Sequence, residues 1–275
     1  LGQGGSGVVI SVFDRKMSRP VALKVASNSQ ASAVAKLRFV REARVTGQLN
    51  HPNVMPVYDI GTDPDGQMFF TMKEVQGKSL AQRLRDGTAG SILERLLVFR
   101  QVCNALAFAH SRGVLHRDIK PGNIMLGEYG EVLVVDWGLC KVFGESSLDE
   151  TSERTDVSID DGLDTQTGEV FGTPAYMAPE QARGEHHLCD SRTDIYSLGV
   201  LLYALLTDRK PFRESSVEDI LAAVVKGEFQ SPRDVAPGRV SRELNAIVEK
   251  AMSTNPEDRY PSVQALSKDV QSYLD

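Results

Sequence analysis

The chain has 275 residues, 41% of them hydrophobic and 25% charged, with a formal net charge of −6. That length fits one large domain or two lobes around a common site. The mixed, mildly acidic charge argues against a dedicated nucleic-acid binder, which would carry a clustered positive surface. No apolar run reaches the roughly 18–20 residues of a bilayer-spanning helix, and no secretory leader is evident. Cys103, Cys140 and Cys189 are dispersed and form neither a disulfide framework nor a Cys-x-x-Cys hook, so a reducing, cytoplasmic setting is expected. His186, His187 and Cys189 lie close together, but a polar surface loop explains them more simply than a metal site. The first residues already read as functional chain. A trimmed fragment is therefore expected, with no membrane contact of its own and any anchor lying outside it.

In chain order, Val8-Val9-Ile10 and Val21 to Val25 alternate as strands around a charged turn at Asp14 to Arg19, a hairpin with a glycine-rich tip. A helix is predicted from Ala31 to Leu49, with Val34, Leu37, Val45 and Leu49 on or near one face. Val54 to Ile60 and Gln67 to Glu74 read as strands separated by the turn residues Gly61 to Gly66. After Gly77 the period becomes helical. Helices are expected at Leu80 to Leu84, Ser91 to Arg112, Asp194 to Thr207, Ser216 to Val225, Ser241 to Met252 and Val263 to Tyr273. Two short strands, Asn123 to Leu126 and Val132 to Val135, interrupt them. The pattern predicts an α+β fold: a small β-rich lobe with one helix, then a larger helical lobe, hinged near Lys73 to Gly77. One segment departs in composition. Residues 144–170 hold nine acidic residues and one base, Arg154, so they carry −8 while the rest sums to +2. A surface loop is expected there.

The chemistry concentrates in a few places. Gly2-Gln3-Gly4-Gly5-Ser6-Gly7 allows backbone amides to approach phosphate oxygens closely. It runs into a second strand rather than a helix and lacks a Gly-Lys-Ser/Thr ending, which suggests a flap over a nucleotide. Lys24 lies inside an apolar strand, where an unpaired ammonium is costly to bury; Glu42 on the following helix is its natural partner, although a solvent-facing lysine fits the local pattern equally well. His116-Arg117-Asp118-Ile119-Lys120-Pro121-Gly122-Asn123 crowds polar groups beside a short strand, more than a structural network needs. Asp136 follows the apolar run Val132 to Val135. A strand-end carboxylate with the amide oxygen of Asn123 suits a hard cation such as Mg²⁺.

In their order, these motifs resemble the eukaryotic-type protein kinase family, across essentially the whole chain, with the local style of its bacterial, receptor-like members. The resemblance implies a bilobal kinase-like fold, residues 1–75 forming a small lobe truncated at its start and 76–275 the large one. It implies ATP with Mg²⁺, or Mn²⁺ in its place, and protein substrates; a homodimer for autophosphorylation is a further expectation. Gly2, Gly4 and Gly7 become the loop glycines, Lys24 and Glu42 the phosphate-anchoring pair, Asp118 the hydroxyl-orienting base, and Asn123 and Asp136 the Mg²⁺ ligands. Lys120 contacts the γ-phosphate in the Ser/Thr branch, with Thr173 bonding near it and Asp118. Val9 and Ala22 roof the adenine pocket, Met125 floors it, Met72 is its gatekeeper, and Glu74 and Val75 supply hinge backbone. Asp194 braces the catalytic-loop backbone, and Glu180 pairs with Arg259.

Two departures stand out. The usual Asp-Phe-Gly is Asp136-Trp137-Gly138, whose indole N–H needs a partner and for which small Thr46 makes room. The interval from Asp136 to Glu180 is long and holds Thr151, Ser152, Thr155, Ser158, Thr165 and Thr167 as acceptors; Thr165 and Thr167 are preferred, with Arg117 reading the phosphate. The implied activity is phosphoryl transfer to protein Ser/Thr, by a non-specific serine/threonine protein kinase. The alternative is a pseudokinase acting as a nucleotide- or partner-binding scaffold.

Overall fold

The computed structural model describes residues 2–4, 7–26, 33–142 and 174–275. The first part is an antiparallel five-stranded sheet of β1 (Gly2–Gly4), β2 (Gly7–Asp14), β3 (Arg19–Ala26), β4 (Val57–Thr62) and β5 (Met68–Met72), in the order β1-β2-β3-β5-β4. The β2–β3 register sets Val9 opposite Lys24 and Ser11 opposite Ala22; β3–β5 then sets Lys24 opposite Phe70 and Ala22 opposite Met72. Directly opposed residues share a face, so Val9, Ala22, Lys24, Phe70 and Met72 all lie on one side of the sheet. Gly7, at φ 152, brings the β2 backbone so close to Val25 that a Cβ would sit 2.2 Å from its carbonyl oxygen. Only glycine fits there.

Helix α1 (Ala33–Gln48) packs on that same face through Phe39 and Ala43, with the Phe39 and Phe70 rings 5.1 Å apart. Its far end turns Val45 and Leu49 into the other, larger core. Leu37, expected on the apolar face, is instead 64% exposed. At 100° per residue it stands opposite the stripe Phe39, Glu42, Ala43, Thr46, and that stripe includes two polar residues which hydrophobic periodicity could not count.

An irregular segment from Lys73 to Gln76 links β5 to β6 (Gly77–Ser79). Next come α2 (Leu80–Arg85) and α3 (Ile92–Ser111), both opened by capping boxes, Ser79 with Gln82 and Ser91 with Glu94. These satisfy the first free amides of each helix. Then β7 (Val114–Leu115), β8 (Ile124–Gly127), β9 (Val132–Val134) and β10 (Lys141–Val142) form two small sheets, β6-β8-β9 and β7-β10. Strands β8 and β9 fall where the sequence predicts them, whereas the two- and three-residue β6, β7 and β10 are too short for periodicity to register. Helices α4 (Pro179–Ala182), α5 (Ser191–Thr207), α6 (Val217–Lys226), α7 (Pro232–Val235), α8 (Arg242–Ala251) and α9 (Val263–Leu274) complete the chain. Helix α5 is buried from Thr193 to Thr207 on all sides, as expected of a helix at the centre of a large core. The small antiparallel lobe and the larger helical region give a bilobal, kinase-like α+β architecture. Among the described residues no helix is long and apolar enough to cross a membrane.

Candidate active site

The site lies where the sheet, α1 and the β7–β9 region meet. Lys24 projects from β3 and donates from Nζ to Glu42 Oε1 at 2.6 Å, with both side chains buried; its second carboxylate neighbour is Asp136, at 3.9 Å. Burial raises the Glu42 carboxyl above its ordinary value; Lys24 pulls it back and Asp136 adds to the rise. Thr46, one turn on, turns its hydroxyl back to the Glu42 carbonyl at 2.6 Å.

The segment between β7 and β8 is held from below by Asp194. This fully buried carboxylate accepts from His116 N at 2.9 Å and Arg117 N at 2.8 Å, and from His110 Nε2 at 2.7 Å. Burial pushes Asp194 up, but the His110 bond and charge together with the His116 contacts bring it below the ordinary range. His116 adds a brace. Its Nδ1 accepts from Asp118 N at 3.2 Å, which puts the ring proton on Nε2, and that nitrogen donates to Val135 O at 3.1 Å. One ring thus joins the backbone at Asp118 to the backbone just before Asp136.

Asp118 Oδ2 receives Lys120 Nζ at 2.8 Å and Asn123 Nδ2 at 2.9 Å, and the same Asn123 amide also donates to Asp118 O at 2.8 Å. With both amide hydrogens so used, the Asn123 oxygen is its remaining ligand atom, and it engages no described residue. Asp136, at φ 63, is swung out of the β9 line into the left-handed region, and its side chain is 40% exposed. Trp137 goes the other way. It is fully buried, its ring 4.6 Å from that of His116, and its Nε1 has no hydrogen-bond partner among the described residues. Gly138 passes so near Glu42 that a Cβ would lie 3.3 Å from Oε2.

Around this cluster, Val9, Ala22 and Met72 share the sheet face that carries Lys24, and Met125 lies on β8 opposite Ser79 and Leu133. Glu74 and Val75 fall in the irregular link, where their peptide groups bond to no described residue. Gly2 and Gly4 pair with β2. Thr173, the acidic segment and its six candidate acceptors lie outside the described residues. Three supports escape a reading of the sequence: His110, Gln181 and Thr193. Gln181 Nε2 donates to Arg117 O at 3.0 Å, and Thr193 Oγ1 to Glu180 Oε1 at 2.8 Å. The one available signal was a histidine closing the apolar helix α3. Farther out, Arg259 grips Glu180 through two bonds, of 2.9 and 2.8 Å, the pairing that the family resemblance implies.

With this geometry in view, the comparisons with known proteins agree. The family described as "Protein kinase domain" matches residues 1–270. A serine/threonine-protein kinase PknD of Protochlamydia amoebophila is 41% identical over 290 residues, covering 100% of this chain and 29% of that protein. The proteins of the same name from Chlamydia abortus and Chlamydia pneumoniae are each 37% identical, over 289 and 293 residues, covering 100% of this chain and 30% of theirs. The chain therefore spans about three-tenths of the length of these curated relatives. It belongs to the protein kinase domain family and is similar throughout its length to bacterial serine/threonine kinases.

Proposed function

We propose that this domain transfers the γ-phosphoryl group of ATP to Ser and Thr hydroxyls of proteins, its own activation segment included. The observation that carries the reading is the joint placement of two polar clusters. Lys24, Glu42 and Asp136 converge from three elements, and Asp118, Lys120 and Asn123 form a single bonded network beside them.

The donor set suits a hard divalent cation. Asp136 offers a half-exposed carboxylate, and Asn123 an amide oxygen whose N–H₂ is already committed to Asp118. Mg²⁺, or Mn²⁺ in its place, supplies charge neutralisation at the phosphate oxygens when held there. Lys24, fixed by Glu42, anchors the phosphates. Lys120 leaves Asp118 to meet the γ-phosphate oxygens. With Oδ2 still held by Asn123, the other carboxylate oxygen of Asp118 is left to orient the acceptor hydroxyl and take its proton. The unbonded peptides of Glu74 and Val75 suit the edge of an adenine ring between Ala22 and Met125, and Gly2, Gly4, Gly7 and Val9 cover it. For Thr173 we keep the role that the family resemblance implies, a preference for Ser and Thr acceptors. Transfer between two copies is the route we assign to activation-segment phosphorylation, with Arg117 reading the product. Three free, buried thiols accord with a reducing, cytoplasmic setting.

The test is transfer of labelled phosphate from Mg-ATP to a generic basic protein. Asp118→Asn removes the base while keeping the side chain's shape. It should lower transfer by about 10²–10⁴-fold with little change in melting temperature. Transfer that survives in this variant would refute the assignment of Asp118. No transfer from the wild type, even after prior phosphorylation, would replace the reading by a docking role.

A further inference from the structure

The irregular link from Lys73 to Gln76 is tied at both ends to one turn, the turn between β8 and β9. At its start, Lys73 N donates to Pro56 O at 3.1 Å, which fixes the backbone to the segment leading into β4. From there the Lys73 side chain crosses to the turn, where Nζ meets Glu131 Oε1 at 2.6 Å. At the other end of the link, Gln76 O accepts from Glu128 N at 2.9 Å. The turn is also held from α2, whose Arg83 Nη2 lies 3.4 Å from both Leu126 O and Gly127 O. Between the two ties stand the peptides of Glu74 and Val75, which bond to no described residue.

The pair of Lys73 and Glu131 depends on a gap in the turn. A Cβ on Gly127 would lie 2.1 Å from Glu131 Oε2 and 2.9 Å from its Cδ, so a side chain there would push the carboxylate off its course to Lys73. Gly127 is not among the residues with positive φ. Its missing side chain therefore serves the path of Glu131 and not its own backbone angle. The Lys73 bond holds the Glu131 carboxyl below its ordinary value; burial opposes this, while the Lys73 charge and the amides of Tyr129 and Glu131 add to it. Both side chains are about a third exposed, 35% and 33%. Such a pair is screened by salt and adds little to the stability of the fold. What it does control is the start of a short link whose middle peptides are free.

We propose that Lys73 and Glu131 are a positioning pair for the nucleotide: they hold the Glu74 and Val75 peptides at a fixed height above Met125 on β8, and so set the affinity for the adenine end. The inference deepens the kinase reading above and rests on it. Lys73 acts through the main chain that follows it and not through its own contact with the ligand. Peptides already held in the bound geometry lose less freedom when the base arrives. The effect belongs to the base alone, because Lys24, Lys120 and the metal ligands handle the phosphates from other elements.

Adenosine carries the base without phosphates, so its inhibition of transfer reads the link separately. In Lys73→Ala and in Glu131→Ala, KM for ATP and the inhibition constant of adenosine should both rise about 2- to 5-fold, the range of an exposed pair. The accompanying change in kcat should stay below about twofold, because uniform binding is what has been removed. Gly127→Ala, which keeps both charges and displaces the carboxylate, should do the same. The exchange of Lys73→Glu with Glu131→Lys should restore most of both constants. Added salt should weaken adenosine inhibition of the wild type and leave the single variants nearly unmoved. Adenosine constants equal to that of the wild type in both single variants, or an exchange that restores nothing, would overturn the positioning role with the kinase reading intact. A rise confined to ATP would place Lys73 on the phosphate side and overturn it as well. A wild type that transfers no phosphate, even after prior phosphorylation, would overturn the kinase reading and this inference with it.

Discussion

Glu42 and Glu180 are both buried, 4% and 3% exposed, and both face a cation, yet they titrate on opposite sides of the ordinary carboxylate value. Burial dominates Glu42 and raises it, because one Lys24 bond is its only strong compensation and Asp136 adds a second negative charge nearby. Burial also pushes Glu180 up, but two Arg259 bonds, the guanidinium charge and the Thr193 hydroxyl outweigh it and leave the group lowered. The contrast is one donor against three. A carboxylate with every lone pair answered is a fixture of the fold. One answered once, by a lysine that has a second carboxylate 3.9 Å away, is the more easily unmade, which suits the phosphate-anchoring role proposed for it.

The largest effect that tests this contrast is on the finished pair. Arg259→Ala leaves a carboxylate buried without its cation and should cost about 3–5 kcal/mol of unfolding free energy in a denaturant titration. A loss under about 1 kcal/mol, the range of an exposed pair, would mean that Glu180 is not held as described. Lys24→Met should invert the pattern. Transfer should fall by about 10²–10³-fold, as when one electrostatic anchor of a transition state is removed. Stability should change far less than in Arg259→Ala, because Glu42, already raised, takes up a proton and stays buried as a neutral acid. Equal destabilisation by the two variants would erase the distinction between the pairs.

Acid separates them again, with a smaller effect. Glu42, whose folded value is raised, discharges on acidification while the pH is still above the ordinary 4.5. Its protonated form suits the fold, so stability does not fall there, but the charge that holds Lys24 is lost. Glu180, whose folded value is lowered, contributes stability above 4.5 that disappears only as the pH falls below it. Transfer at subsaturating ATP should therefore drop in a step above pH 4.5 while far-ultraviolet circular dichroism is unchanged, with unfolding following at lower pH. Coincident loss of activity and structure would contradict the assignment.

The same contrast explains what the sequence made legible. Lys24 in an apolar strand made Glu42 a natural partner but left a solvent-facing lysine equally open, and it was the crowding of Asp118, Asn123 and Asp136, which has no cheap structural use, that decided between them. The long helices were plain from their period, to within a few residues at each end. Leu37 misled because periodicity counts apolar residues, and the buried stripe of α1 is partly polar. Thr193, Gln181 and His110 stayed invisible for a different reason. Each acts on a group 13 to 84 residues away, and nothing local distinguishes a threonine that completes a buried carboxylate from one that faces water.

Trp137 gives the smallest expected effect. It is the only tryptophan in the chain, packed on His116 with its N–H unanswered among the described residues, and Thr46, whose hydroxyl serves Glu42, does not answer it. An orphaned buried donor costs about 1–3 kcal/mol. Trp137→Phe removes that cost and loses buried ring surface with it, and a void left behind costs about 24 cal/mol per Å³. The two terms oppose each other, so the unfolding free energy should move by no more than about 1 kcal/mol, unlike the far larger loss in Arg259→Ala. A loss near 3 kcal/mol would show that the indole N–H is answered after all. In that case Trp137 joins Glu180 among the fixtures of the fold rather than Glu42 among the groups that can be unmade.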